Sequence, residues 1–409
     1  MSEKLAIHGG EPVRTRPFPS GKKVGKDELK ELVDVIDSGQ LFRWGGTKVS
    51  TFEKEFADLL GTKYAVASTS GTSALHVAVG MVDPAPGDEI ITAPITDIGS
   101  IIPIVYQTAI PVFADIDPRT FNMDPVDIEK KISPRTKAIM VVHLFGNPCD
   151  MDAIMAISRH HGIPVIEDCS QAHLSEHKGR YVGTIGDIGT FSFQMSKQLT
   201  AGDGGVTVTD RSDYGKRGML FADKGWHRAQ FGAREYTLLG LNYRMNELTG
   251  AVVLAQTRRA RDIIGARRKN GDLLTELVQD APNITPQRTL PQCKTGYWQY
   301  GMAVGKASPF TADQFVEALG AEGIGCGAHY IGKPIFLCHG AIRDQVMFGG
   351  SRFPFDHPGA RPTQYAAGVC PVTEDVLNRM VTLSVTEFLG EEDIQDMATA
   401  VNKVAKGLS

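Results

Sequence analysis

The chain has 409 residues, 42% hydrophobic and 22% charged, with a formal net charge of −4. That length suits one large and one small domain, and that composition belongs to an ordinary folded chain rather than a disordered or fibrous one. Lys and Arg do not cluster beyond Arg258-Arg259 and Arg267-Arg268-Lys269, which read as the solvated face of a helix, so a nucleic-acid footprint is excluded.

Met1-Ser2-Glu3-Lys4-Leu5 lacks the apolar core of a signal peptide. Helical apolar spacing over 27–36 stops at Gly39, and Phe52, Phe56, Leu59 and Leu60 share one face of a second helix that stops at Gly61. Short apolar strands are expected at 64–67, 89–92, 110–113, 138–142 and 164–166, with helices between them, such as 150–161 ahead of Gly162. The most apolar stretch, 98–116, is broken by Pro103, Gln107, Pro111 and Asp115, which predicts a helix followed by a strand and not a membrane span. Two further strands, 190–193 and 205–209, flank Lys197, and one long helix is expected from about Met245 to about Leu277.

Beyond Pro282 the texture changes to shorter elements, with helices near 312–319 and 391–404. Strands alternating with helices imply a largely parallel sheet buried on both faces. The expected class is therefore α/β: a large domain, residues 1–280, with a mostly parallel mixed sheet between helices, and a smaller α+β domain, residues 281–409.

The six cysteines are scattered, with no Cys-x-x-Cys, which suits free thiols in a reducing cytoplasm. Cys338-His339 is the lone Cys/His neighbour pair, and no second pair stands at zinc spacing, so no metal site is assigned. His160-His161 close a helix and complement its C-terminal dipole. Arg43-Trp44, in a glycine-flanked segment, reads equally as a plain turn or as a receiver for an anionic group.

Three signals occur in order. Ser68-Thr69-Ser70-Gly71-Thr72-Ser73 follows a strand and opens a helix, which puts free N–H groups and a helix dipole where an anion can sit. Asp168 ends an apolar strand at the edge of the sheet where α/β proteins hold ligands. Lys197 lies on a later loop, before Gly202-Asp203-Gly204-Gly205. A phosphate cup, an acid for a ring nitrogen and a lysine for an aldehyde are the three handles of pyridoxal phosphate. A dinucleotide fold is excluded because Thr207 stands where the third glycine of Gly-x-Gly-x-x-Gly is needed. A Ser-x-x-Lys hydrolase is excluded because Gln194 stands in place of the serine.

Six ordered motifs carry a family resemblance: 70–75, Pro86-Gly87-Asp88-Glu89-Ile90, His143-Leu144-Phe145-Gly146, Glu167-Asp168-Cys169-Ser170-Gln171-Ala172, Ser192 to Gly205, and Gly240-Leu241-Asn242-Tyr243-Arg244-Met245. With them, the chain resembles the DegT/StrS family of pyridoxal phosphate-dependent sugar aminotransferases, of fold-type I. The resemblance implies Lys197 as the Schiff-base lysine and proton shuttle and Asp168 as the partner of the ring nitrogen. It implies Gln171 as the partner of the ring hydroxyl, and Gly71, Thr72 and Ser192 as the phosphate site. Asn242 would reach the phosphate of a second subunit, making a homodimer with shared active sites. His329 and Tyr330 lie in a segment that resembles a family loop near the substrate.

Thr96-Asp97 departs from the family, which usually stacks an aromatic on the cofactor at the second position; Trp226 is an available aromatic. With His143 to Asn147, these variants resemble a sub-branch acting on octulosonate-type sugar acids, near the inosose aminotransferases. The implied activity is ping-pong transfer of an amino group from glutamate or glutamine to a carbonyl of a sugar, sugar acid or cyclitol. A dehydratase of the same fold would replace the lysine with histidine, and a regulatory protein on the same scaffold has no need of Lys197, Asp168 and Gln171 together.

Overall fold

A computed structural model describes residues 4–228 and 235–409; Met1, Ser2 and Glu3 of the polar start lie outside them. Helices α1 (Lys26–Ser38) and α2 (Lys48–Leu60) form where the apolar spacing puts them. α2 ends at Gly61, whose φ of 79° is left-handed and suits glycine. Its buried face, Val49, Phe52, Phe56 and Leu60, packs with Phe191, Phe193 and Val253 on one side of a seven-stranded sheet.

The strands of that sheet are β1 (Tyr64–Ser68), β2 (Glu89–Thr92), β3 (Ile110–Phe113), β4 (Thr136–Val142), β5 (Val165–Asp168), β6 (Ile188–Ser192) and β7 (Gly205–Thr209). Their order is β1-β7-β6-β5-β4-β2-β3. Neighbours from β6 to β3 pair parallel, and only β7 runs against its neighbours β1 and β6. β2, β3 and β5 to β7 are buried along their whole length, which explains why apolar residues dominate β3 and why the polar members of the others, such as Glu167 and Asp168, are buried too. Helix α3 (Gly71–Val82) covers the other face, its Leu75, Val79 and Val82 packed with Val66, Ile90 and Ile166. The protein is thus α/β with a mostly parallel mixed sheet between helices.

The single helix expected from Met245 to Leu277 is instead two, Glu247–Arg258 and Ala260–Val278. The Thr257 hydroxyl donates back to the carbonyl of Val253 (2.7 Å), a bond that bends helices, and Arg259 leaves the helical path at φ −100° and ψ 3°.

A second, antiparallel sheet follows, in the order Ile284–Pro286, Tyr300–Val304, Met380–Leu383, Cys326–Ala328. Helices Ala312–Ala321 and Glu391–Leu408 cover it, with Phe315, Leu319, Met397 and Val401 in the shared core. The start of the chain joins this core through Leu5, Val13 and Phe18. Arg14, almost wholly buried, pairs there with Asp393 (2.8 Å) and Asp396 (2.7 Å). Cys293–Lys294 pairs with Glu176–His177 in a small third sheet, stitching the two parts together. Among the described residues, no helix is long and apolar enough to cross a membrane.

Candidate active site

The carboxyl ends of the parallel strands open into a cavity of about 320 Å³, where α/β sheets hold their ligands. Its floor is set by the last two residues of β5, which point to opposite faces because strand side chains alternate. Glu167 turns into the protein. It meets His143 Nε2 at 3.0 Å and accepts from the N–H groups of Ile185 (2.8 Å) and Gly186 (2.6 Å). Since Cys149 N–H donates to His143 Nδ1 (3.0 Å), the imidazole proton lies on Nε2, facing Glu167.

Asp168 turns the other way, onto the cavity, and is 3% exposed. Its Oδ1 accepts from Ser170 N–H (3.0 Å) and its Oδ2 from the Ser100 hydroxyl (2.7 Å). Thr96 Oγ1 stands 2.7 Å from Ser100 Oγ, so a chain of hydroxyls runs Thr96 to Ser100 to Asp168. The acid is locked in orientation before any ligand arrives.

One wall is the start of α3. Ser70 caps it, its hydroxyl accepting from Ser73 N–H (3.0 Å), while Ser73 Oγ accepts from Ser70 N–H (2.8 Å). The first intrahelical bond is donated by Ala74, so the N–H groups of Gly71 and Thr72 stay outside the helix's own ladder and border the cavity. Gly71 is needed for closeness: a Cβ there would lie 2.6 Å from Ser192 Cβ and 2.8 Å from its Oγ. Helix start and strand end therefore meet in a cradle of N–H groups and hydroxyls, the chemistry of an oxyanion site.

Lys197 comes from the β6–β7 connection and lines the same cavity. Burial pulls its amine below the ordinary lysine value, while the charges of Asp168 and Asp97 hold it up. A lysine so poised gives up its proton more readily than one in water. Across from it, the Trp298 ring centroid is 4.2 Å from Lys197 Nζ. Gln171 Oε1 accepts from Phe145 N–H (2.8 Å), and its Nε2 reaches towards the Tyr330 hydroxyl (3.4 Å). Burial raises that phenol to about 12, so it stays protonated at neutral pH.

Gly71, Thr72, Asp97, Asp168, Gln171, Ser192, Lys197 and Tyr330 thus converge on one cavity. His329 does not. Its Nε2 is held by Asp313 (3.0 Å) and its Nδ1 by the Leu377 carbonyl (3.2 Å), away from the site. The left-handed backbone at both His329 (φ 64°) and Tyr330 (φ 50°) sends the two neighbours in different directions. Trp226 carries the Arg228 guanidinium over its ring (3.8 Å) and meets Tyr236 at a tilt of 42° (5.9 Å), outside the cavity lining. Asn242 is exposed, bridges Asp223 through the backbone, and does not line its own chain's cavity. Arg43 pairs with Glu53 (2.8 Å) and Trp44 Nε1 donates to Asp223 (3.0 Å), and neither residue lines the cavity.

Sequence reasoning missed Ser100 and Trp298. Thr96 and Ser100, four apart on a turn whose Asp97 caps Gly99 N–H (2.8 Å), did carry a signal. Trp298 carried none, because its place depends on how the second sheet docks.

A family model described as the DegT/DnrJ/EryC1/StrS aminotransferase family matches residues 22–402. The L-glutamine:2-deoxy-scyllo-inosose aminotransferase of Streptoalloteichus tenebrarius is 34% identical, the match covering 99% of this chain and 98% of that protein. The GDP-perosamine synthase of Caulobacter vibrioides is 38% identical, over 68% of this chain and 75% of its own. The X-ray structure of an aminotransferase from Psychrobacter cryohalolentis superposes with a TM-score of 0.83 at 30% identity, covering 96% of this chain and 99% of that one. The chain belongs to the DegT/DnrJ/EryC1/StrS aminotransferase family.

Proposed function

We propose that the enzyme uses pyridoxal phosphate to move an amino group from glutamine or glutamate to a carbonyl of a sugar, sugar acid or cyclitol, in two half-reactions. The observation that carries this reading is the meeting of Lys197, Asp168 and the Gly71–Thr72 helix start in one cavity. The residues fit the cofactor. The cradle that a Cβ at Gly71 would fill suits a phosphate, with Thr72 and Ser192 beside it. Asp168 suits the ring nitrogen, Gln171 the ring hydroxyl, and Lys197 the aldehyde carbon. When bound, the group supplies an electron sink for the carbon being deprotonated.

The chain's own part is proton handling and orientation. Lys197, once freed as an amine, would take the proton from the donor's α-carbon and deliver it to the carbon that had been the aldehyde; in the reverse half-reaction it would run the same shift the other way, onto the acceptor's carbon. Asp168, held in orientation by Ser100 and Ser170, would present its carboxyl group to the ring nitrogen. Trp298 and Tyr330 wall the cavity and limit water around the amine.

A relative named for L-glutamine and a scyllo-inosose supports glutamine as donor and a polyhydroxylated ketone as acceptor. Asp97, exposed on the cavity rim with one oxygen taken by Gly99 N–H, would accept from an acceptor hydroxyl in place of the family's aromatic. Asn242, exposed and near the exposed Leu239, Leu241 and Tyr236, supports a homodimer in which it reaches the other subunit's phosphate. Six free thiols fit a reducing compartment, the cytoplasm.

The test is direct. Borohydride should fix the cofactor to the parent chain and not to Lys197→Ala, and glutamine should bleach the parent's imine absorbance. A fully active Lys197→Ala sinks the reading.

A further inference from the structure

The turn carrying Lys197 presents three successive backbone carbonyls, and side chains from distant parts of the chain meet all three. The Lys23 ammonium donates to the carbonyls of Met195 (3.2 Å) and Lys197 (2.7 Å). The Trp298 indole N–H donates to the carbonyl between them, on Ser196 (2.9 Å). The same indole offers its face to the Lys197 amine at 4.2 Å. A turn has no strand or helix ladder for its carbonyls, so these donors define where it sits.

The donors are themselves fixed. Buried Gln256 donates to the Lys23 carbonyl (2.7 Å) and accepts from Thr200 N–H (3.3 Å), tying the Lys23 segment to the far side of the lysine turn. Trp298 N–H of the backbone donates to the Phe145 carbonyl (2.8 Å). Burial, and then the charge of Arg267, pull the Lys23 amine below its ordinary value, while the charge of Glu387 opposes them. The clamps come from separate parts of the chain. Lys23 lies between Phe18, which packs on the second sheet's core, and α1, and is tied to the large domain through Gln256; Trp298 packs with Phe145 and Tyr330. Lys197 projects from the large sheet.

We propose that Lys23 and Trp298 are positioning residues for Lys197, so that two segments remote from it in the chain set where the reacting amine lies and how firmly it holds its proton. The proposal rests on the reading of Lys197 as the reacting amine. Lys23 acts on the main chain alone, and Trp298 acts on both main chain and amine. Asp168 and Asp97 are the charges facing that amine, with Asp203 and Tyr330 lining the same cavity; none of them is altered in the test.

Cofactor-free protein is treated with an amine-acylating reagent across pH, and modification of Lys197 is read by mass spectrometry. Trp298→Leu shifts the midpoint down by up to about one pH unit, the loss of a cation–π contact, while Trp298→Phe keeps the ring face and stays near the parent. In the loaded enzyme, Lys23→Met slows exchange of the donor's α-hydrogen with deuterated solvent by about tenfold to a hundredfold, as a displaced group does. The donor's KM holds, and Lys23→Arg restores the rate. A parental midpoint in Trp298→Leu, or parental exchange in Lys23→Met, overturns the proposal. Should Lys23→Met fail to fold, Lys23→Gln against Lys23→Arg makes the same comparison. Exchange persisting in Lys197→Ala defeats the reading of Lys197 itself; exchange lost there but parental in Lys23→Met defeats only the clamp.

Discussion

Gly71→Ala isolates the cradle at the start of α3. The new Cβ would stand 2.6 Å from Ser192 Cβ and 2.8 Å from Ser192 Oγ, both inside contact distance. Gly71 has no left-handed φ, so the cost is steric and not conformational. Pushing the helix start off the end of β6 costs about 1–3 kcal/mol, the range for overpacking. It also displaces the N–H groups of the proposed phosphate site. Losing one charge-assisted hydrogen bond, about 1.5–3 kcal/mol, weakens cofactor binding about 10- to 150-fold. Thermal unfolding of the cofactor-free protein reads the first effect, and an absorbance titration with the cofactor reads the second. Ser192→Gly removes the atoms that clash, for about 0.5–1 kcal/mol of strand entropy. The double variant should therefore be more stable than Gly71→Ala alone, a favourable coupling typical of residues in contact. It should not regain full affinity, because the Ser192 hydroxyl is gone. A neutral Gly71→Ala, or strict additivity in the cycle, refutes the contact as the reason for glycine.

Three further outcomes follow from particular pairs. Arg14→Ala should cost about 3–5 kcal/mol by leaving buried Asp393 unpaired, seen as a lower unfolding midpoint that Arg14→Lys partly restores. Asp97→Asn removes a charge that holds the Lys197 amine up against burial, so the pH midpoint for acylation of Lys197 in cofactor-free protein should fall; an unchanged midpoint refutes the electrostatic role. His173, buried between Phe191 and Phe193, is lowered by burial from 6.5 to about 3. Between those values the unfolded chain binds the extra proton, so stability falls as pH drops, by up to about 1.4 kcal/mol per pH unit. His173→Gln should flatten that slope in equilibrium unfolding measured down the acid range, and an unaltered slope assigns the loss to other groups.

Much of the site was legible because its elements are local. Ser70 to Leu75 had to open a helix after a strand, and Glu167-Asp168 had to end one, since each pattern lies within a few residues. The strands of the large sheet were legible as short, mainly apolar segments because that sheet is covered on both faces, whereas the short strands of the second sheet were not placed. The helix break at Arg259 was invisible to periodicity, because the Thr257 hydroxyl bond to Val253 leaves the apolar spacing intact. His329 and Tyr330 were inseparable as neighbours; two successive left-handed residues sent one to Asp313 and the other to the cavity.

The sequence by itself singled out the lysine, the acid and the helix start that meet in one cavity, and the order of elements that aligns them. The tertiary structure alone decided what surrounds the lysine. Ser100 reaches Asp168 across 68 residues, Trp298 reaches Ser196 across 102, and Lys23 reaches Lys197 across 174. No periodicity spans such distances. They exist because burial of apolar clusters drawn from remote parts of the chain carries neighbouring polar groups together: the first residues pack with the last third, and Trp298 packs on Phe145.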